Sequence, residues 1–213
     1  MPNSKIKLIL ASGSPRRKEL LGHLNLPFEI ITSHVPEESS ETDPLKFTLE
    51  IAKIKGEAVF NDLKVSRPQE NFFVVSADTI VCLDGKILGK PKDVNEARHF
   101  LNQLAGQTHS VFTAVAVNLI HRGAIDNFSF VDESKVTFEA IDESLMNIYL
   151  NTGDSLDKAG AYGIQGPSLT FISKVQGSYS NVVGFPLSRF IIETKDFLSR
   201  KFPEVPSWLD FFR

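Results

Sequence analysis

Cysteine is nearly absent. The 213-residue chain carries one, Cys82. A single thiol excludes an internal disulfide framework and fits a reducing compartment. Cys82 lies in an apolar run, so a packed core thiol is expected. Long apolar runs are missing as well. None approaches the ~20 residues that a membrane-spanning helix needs, and the apolar run near the start is too short for a signal-peptide core. An excess of one charge is also missing: 23 Lys and Arg stand against 26 Asp and Glu, a formal charge of −3. That argues against a broad nucleic-acid surface and leaves room for a local basic pocket. No internal repeat or low-complexity segment occurs. Together these absences predict a soluble cytoplasmic protein with no nucleic-acid or membrane partner. What the chain has in quantity is phenylalanine, 17 residues, several near the C-terminus. They imply a large aromatic core or an apolar contact between copies. The length allows a sizeable core in one domain, residues 1–213.

The stretch from Leu8 to Arg17, LILASGSPRR, organises the rest. Leu8, Ile9, Leu10 and Ala11 read as a buried strand, too short an apolar run for a helix. Ser12, Gly13 and Ser14 are turn-compatible. Ser14 before Pro15 marks a helix start, because serine caps free N–H groups and proline suits the first helical position. Arg16 and Arg17 then fall in the first turn, where the helix dipole favours acids instead. An anion would resolve that conflict: helix N–H groups, the two serine hydroxyls and two guanidinium forks would converge on a phosphate. The plain alternative is a surface helix whose arginines face water.

Helices are predicted over Pro15–Leu24, Pro44–Asn61, Asp93–Leu104, Asp142–Leu150 and Pro186–Lys201. Strands are predicted over Phe28–Ile31, Phe72–Ser76, Val111–Ile120, Ile125–Phe138 and Leu169–Val175. Asp84-Gly85 reads as a hairpin turn between Ile80–Leu83 and Ile87–Leu88. Residues 63–71 read as a linker and 177–184 as a turn. The resulting class is α/β, a mixed twisted sheet with flanking helices and two lobes around a cleft.

Several positions carry chemistry. The acidic loop from Val35 to Asp43, with Glu37, is either a solvated connection or a source of a carboxylate for a metal. Asp78 is read just past the end of a central strand, where α/β folds place chemistry. There it would bind a hard cation or orient water, or simply close a turn on backbone N–H groups. Lys55 reads by pattern as a solvated helix lysine. Lys90 sits between a glycine and a proline. His109 has no Cys or His partner at ligand spacing and reads as structural. The glycine-dense segment 152–166 must be a shaped loop that can approach a ligand, with Asp157, Lys158, Tyr162 and Gln165 its able members.

With these residues in view, the chain resembles the Maf family of nucleotide pyrophosphatases, also called septum formation proteins. The likeness is carried by Ser12-Gly13-Ser14-Pro15-Arg16-Arg17, Ser76-Ala77-Asp78-Thr79, Gly89-Lys90-Pro91, His109-Ser110-Val111-Phe112-Thr113, the segment from Asp157 to Gly166, and Asn181 to Leu187. Six motifs in the family's order span nearly the whole chain. The resemblance implies hydrolysis of nucleoside triphosphates to the monophosphate and pyrophosphate with a divalent metal, Mg²⁺ or Mn²⁺. The late loop resembles that of the subgroup acting on dTTP, UTP and modified pyrimidine nucleotides. In that subgroup Arg16, Lys90 and Gln165 match residues tied to pyrimidine specificity. Asp78 matches the catalytic aspartate and Lys55 the helix lysine. Glu37, with Glu38 beside it, matches a metal-site glutamate that would join Asp78. Ser12 and Arg17 occupy matching loop positions. The Thr152-Gly153-Asp154-Ser155 opening of the late loop departs from the family's commoner Gly-Glu-Pro form. Family members are often dimers, so a homodimer is implied.

These residues yield one chemical expectation. Water attacks the α-phosphorus, with Asp78, Lys55 and Arg17 in catalysis and Ser12, Ser14, Arg16, Lys90, Lys158 and Gln165 binding the substrate. The alternatives are a 7-methyl-GTP or purine-directed pyrophosphatase, and a non-catalytic nucleotide-binding regulator of septum formation.

Overall fold

The computed structural model describes residues 6–212. The first five residues and Arg213 of the expected domain lie outside them. The first strand, β1 (Ile6–Leu10), leads through the serine turn into helix α1 (Pro15–Gly22). Ser14 caps α1 by accepting from the Arg17 N–H, Pro15 holds the first position, and the first turn contains no acid. The short β2 (Phe28–Ile30) follows, then α2 (Pro44–Ser66), capped by Asp43. Helix α2 runs five residues beyond the expected Asn61 and absorbs part of the expected linker. The reason is apolar: Val59, Phe60 and Leu63 continue its stripe and pack on Ile9, Phe72 and Val74.

Strand β3 (Asn71–Leu83) is the spine. The sequence reading divided it at Ser76-Ala77-Asp78-Thr79, but it is continuous, and Asp78 lies within it. Its turn to β4 (Lys86–Leu88) is the expected hairpin at Asp84-Gly85. Helix α3 (Val94–Leu104) and two long antiparallel strands, β5 (Thr108–His121) and β6 (Ala124–Phe138), follow. Next come α4 (Glu143–Asn151), the glycine-dense loop and β7 (Ile172–Gln176). Strand β7 starts later than expected because Pro167–Thr170 forms a 3₁₀ turn. The expected turn at 177–184 holds a short helix, α5 (Tyr179–Val183), capped by Ser178 and ended by Gly184 at φ 119°. The chain closes with α6 (Leu187–Lys201) and a 3₁₀ turn at Trp208–Phe211.

The strands form one seven-stranded mixed sheet in the order β2-β1-β3-β5-β6-β7, with β4 also on β3. Strand β5 pairs with β3 along Phe72–Cys82. The other edge of β3 is shared: β1 takes Asn71–Val75 in parallel and β4 takes Val81–Leu83 antiparallel. Between them, residues 76–80 have no strand partner on that edge among the described residues. This gap positions the site. Asp78 therefore does sit past the end of the parallel part of the sheet, although the strand carries on.

Side chains alternate across β3, so the gap opens onto both faces. Phe73, Val75 and Ala77 face α1 and α6, in a cluster with Leu21, Phe190 and Phe197. Phe72 and Val74 face α2. A third cluster, with Val81, Leu101, Phe138 and Tyr149, fills the far half of the sheet against α3 and α4. Most of the phenylalanines are in these cores. Phe73, Phe128, Phe197 and Phe212 are linked by tilted or edge-on ring contacts, Trp208 packs on Phe212, and His121 and Phe211 both pack on Phe202. Cys82 is buried near Ile80 and Phe112, as expected, and burial pushes its thiol pKa up. Among the described residues no helix is long and apolar enough to cross a membrane.

Candidate active site

Helix α2 approaches β3 closely because residue 56 is glycine. A Cβ there would stand 2.4 Å from Ser76 Oγ, which itself lies 2.7 Å from the Ala52 carbonyl. Burial of Ile51, Val59, Phe60 and Leu63 stabilises this docking by roughly 1.5–3 kcal/mol per side chain. The result is a fixed place for Lys55. Its ammonium lies 2.8 Å from Asp78 Oδ1 and 2.8 Å from Glu37 Oε2. The lysine that pattern alone read as solvated is in fact largely covered, with 13% of its side chain exposed. Burial acts to raise the Glu37 carboxyl. The Lys55 hydrogen bond and the charges of Lys55, Lys90 and Arg17 outweigh it and hold that carboxyl below its ordinary value.

Arg17 occupies the other face of the gap. Its Nε donates to the Gly184 carbonyl at 2.9 Å, one terminal nitrogen to Ser12 Oγ at 3.3 Å and the other to Thr79 Oγ1 at 3.1 Å. All three acceptors are neutral, and no carboxylate of the described residues pairs directly with the guanidinium charge. Burial lowers its pKa, Asp78 opposes that, and Arg16 adds to it. A desolvated cation with two N–H groups left over is a receptor for an anion. Ser12 Oγ accepts from both Arg17 and the Ser14 N–H, which leaves its own proton to donate.

The glycine-dense loop walls the opposite side. Gly160, at φ 66°, sits against Val81, where a Cβ would stand 2.8 Å away, and its N–H donates to the Gly89 carbonyl at 3.0 Å. That bond ties the loop to the segment carrying Lys90. Buried His109 and Tyr162 hold the loop from beneath, with Nε2 and the phenol 2.7 Å apart. Burial pushes His109 down to about 4, so its ring is neutral at pH 7. Its expected structural role stands. Arg16 reaches across the cleft to Asp157 at 3.2 Å. Lys158 lines the cleft, but its ammonium is held by Asp154 Oδ1 at 2.9 Å and Asp157 Oδ1 at 2.6 Å. Lys90 and Gln165 are exposed on the rim, with no hydrogen bond or ion pair to a described residue.

The space these groups enclose is about 790 Å³. It lies within the range of roughly 300–1,000 Å³ usual for small-ligand clefts. All the expected residues line it: Ser12, Ser14, Arg16, Arg17, Glu37, Lys55, Asp78, Lys90, Lys158 and Gln165. The sequence reading missed Thr79, Thr113 and the Gly184 carbonyl as supports of Arg17, and Asp154 as the anchor of Lys158. Thr79 and Thr113 stand in quoted motifs, but a threonine in a strand reads first as a β-former.

Asp78 and Glu37 suit a hard cation. Both already converge on one positive charge, that of Lys55. Among the described residues no three or more metal-ligating side chains cluster. A cation here would need ligand oxygens to complete its shell, which is the usual arrangement of Mg²⁺ with one or two carboxylates and substrate phosphates.

A family model described as Maf-like protein matches residues 7–197. The chain belongs to the Maf family. It is similar to a dTTP/UTP pyrophosphatase of Deinococcus radiodurans, 44% identical over 182 residues, which cover 85% of this chain and 88% of that protein. It is 42% identical over 192 residues to a dTTP/UTP pyrophosphatase of Bacillus cytotoxicus, covering 90% and 95%. A third relative of the same name, from Halalkalibacterium halodurans, is 43% identical over 185 residues, covering 86% and 92%. The Maf-family match runs from within β1 to within α6 and so includes every residue named in the cleft.

Proposed function

We propose that this Maf-family chain is a nucleoside triphosphate pyrophosphatase that hydrolyses dTTP and UTP to the monophosphate and pyrophosphate. The observation that carries this reading is the gap in the sheet. There Lys55, Asp78 and Glu37 on one face meet Arg17, Ser12 and the α1 N-terminus on the other. The names of the three relatives support the same substrates.

In this reading the triphosphate lies over the gap. Ser12, Ser14 and the free N–H groups of α1 position its oxygens, and Arg17, Lys55 and Lys90 offset its charge. Asp78 orients a water molecule and takes its proton as the oxygen attacks the α-phosphorus. The bond from that phosphorus to the bridging oxygen breaks, and pyrophosphate leaves with the bonding pair. A divalent cation, Mg²⁺ or Mn²⁺, held by Asp78 and Glu37, would offset charge on the phosphate oxygens when bound. Glu37, held below its ordinary pKa, is a weak proton acceptor and suits the ligand role. Gln165 presents an amide donor and acceptor to a pyrimidine edge, with Arg16 and Lys90 beside it.

The test is pyrophosphate release with Mg²⁺ from dTTP, UTP, CTP, 7-methyl-GTP and ITP, with Asp78→Asn alongside. Rapid release from dTTP and UTP, lost in the variant, is the expected result. Preference for 7-methyl-GTP or ITP would reassign the substrate. Nucleotide binding without release would overturn the catalytic reading in favour of a regulator.

A further inference from the structure

Arg17 is held in place by a chain of hydroxyls that runs away from the cleft into the sheet. Thr79 and Thr113 are direct cross-strand partners on β3 and β5, on the same face, with their hydroxyl oxygens 3.0 Å apart. Thr113 is fully buried. Its hydroxyl donates to the Asn181 carbonyl at 2.9 Å. A hydroxyl has one proton, so Thr113 must accept from Thr79. The Thr79 proton is thereby committed, and its lone pair faces the Arg17 nitrogen 3.1 Å away. The chain has a single polarity, from Arg17 through Thr79 and Thr113 to Asn181.

Asn181 closes the circuit. Its amide donates to the Val111 carbonyl and to Ser134 Oγ, both at 3.0 Å, which pins α5 to β5 and β6. Its carbonyl also accepts from the Gly184 N–H at 2.9 Å. Gly184 in turn offers its own carbonyl to Arg17 Nε. Two of the three guanidinium contacts thus depend on one buried network centred on Thr113 and Asn181, neither of which lines the cleft.

We infer that Thr113 is a positioning residue: its hydroxyl fixes the direction of the Thr79 hydroxyl and so sets Arg17 to receive a phosphate oxygen. This rests on the proposed triphosphate site but is tested without turnover. The probe is inorganic triphosphate, with affinity measured by calorimetry for wild type, Thr113→Val and Thr113→Ser, each checked for its melting temperature. Valine keeps the shape and removes the hydroxyl; serine keeps the hydroxyl and removes a methyl. Thr113→Val is expected to weaken binding about tenfold, the scale of one hydrogen bond to a charged group, while Thr113→Ser stays near wild type. A packing role gives the reverse order, with serine the worse variant. In an Arg17→Lys background, Thr113→Val should add little.

Unchanged affinity in Thr113→Val overturns the inference. So does equal loss in valine and serine, or a full tenfold loss that persists beside Arg17→Lys. If Thr113→Val does not fold, Thr79→Val and Thr79→Ser test the next link by the same comparison. Absence of pyrophosphate release from every nucleotide would sink the proposed function and leave this result readable.

Discussion

Lys55 stands between Asp78 and Glu37, its ammonium 2.8 Å from a carboxylate oxygen of each. The two bonds are not equivalent. Asp78 is nearly covered, with 11% of its side chain exposed, whereas Glu37 is 54% exposed. Screening by water weakens the second pair far more than the first. Lys55–Asp78 is the pair whose loss has consequences.

Removing the lysine alone leaves a largely buried carboxylate without its cation. Lys55→Met should therefore lower stability, by about 1.5–3 kcal/mol, the scale of a hydrogen bond to a charged group. Turnover should fall as well. Adding Asp78→Asn to it removes the uncompensated charge, so the double variant should regain stability while remaining inactive. Thermal melts and pyrophosphate release on Lys55→Met, Asp78→Asn and the double variant check this. A double variant no more stable than Lys55→Met would contradict it.

His109 gives a pH signature. Its folded pKa, about 4, lies below the ordinary 6.5 because of burial. Above pH 6.5 the ring is neutral in both states and does not alter the balance. As pH falls below 6.5 the unfolded chain takes up the proton first, so stability drops. The loss ends near pH 4, where the folded ring is protonated too. The slope in that window is at most about 1.4 kcal/mol per pH unit. His109→Gln can still bond Tyr162 but cannot titrate, so its decline between pH 6.5 and 4 should be shallower. Denaturation at pH 7, 5.5 and 4.5 measures the difference; parallel declines would count against it.

Gln165 is exposed on the rim and makes no hydrogen bond to a described residue. Gln165→Ala should leave the unfolding free energy within about 0.5 kcal/mol of wild type, as surface substitutions do. The dTTP-to-CTP ratio of kcat/KM should shift several-fold, because one neutral hydrogen bond is worth about 0.5–1.5 kcal/mol. An unchanged ratio removes Gln165 from base recognition.

The parts of this site that were legible in the sequence are those fixed by local chemistry. Ser14-Pro15 announces a capped helix, and Asp84-Gly85 announces a hairpin, because capping and turn geometry act within four residues. The paired arginines in an acid-free first turn pointed to an anion for the same reason. What stayed hidden is set by tertiary packing. Ser76 to Thr79 reads as a strand end because its side chains are small or polar, yet β5 pairs with every one of them. Lys55 looks solvated until α2 is docked. The engagement of Lys158 with Asp154 and Asp157 depends on how the loop folds back. The Thr79–Thr113 pair requires the register of two strands that bring together residues 34 apart in the chain.

Gly56 links that packing to the chemistry. A methyl group at this position would stand 2.4 Å from Ser76 Oγ, 3.2 Å from Ser76 Cβ and 3.1 Å from the Asn118 side-chain nitrogen. Ser76 cannot simply rotate, because its hydroxyl lies against the Ala52 and Ala116 carbonyls. The relief available is for α2 to lift from β3. Gly56→Ala should thus cost about 1–3 kcal/mol of stability despite the better helix propensity of alanine. The adjacent Lys55 moves with the helix, so its bond to Asp78 lengthens and turnover should fall by a larger factor than the stability loss explains at temperatures where the variant is folded. Removing the obstructing oxygen with Ser76→Ala in the same chain should recover part of both. Melting temperature and pyrophosphate release, measured together on the single and double variants, decide it. Full activity in a folded Gly56→Ala protein would mean that the close approach of α2 to β3 does not set the position of Lys55.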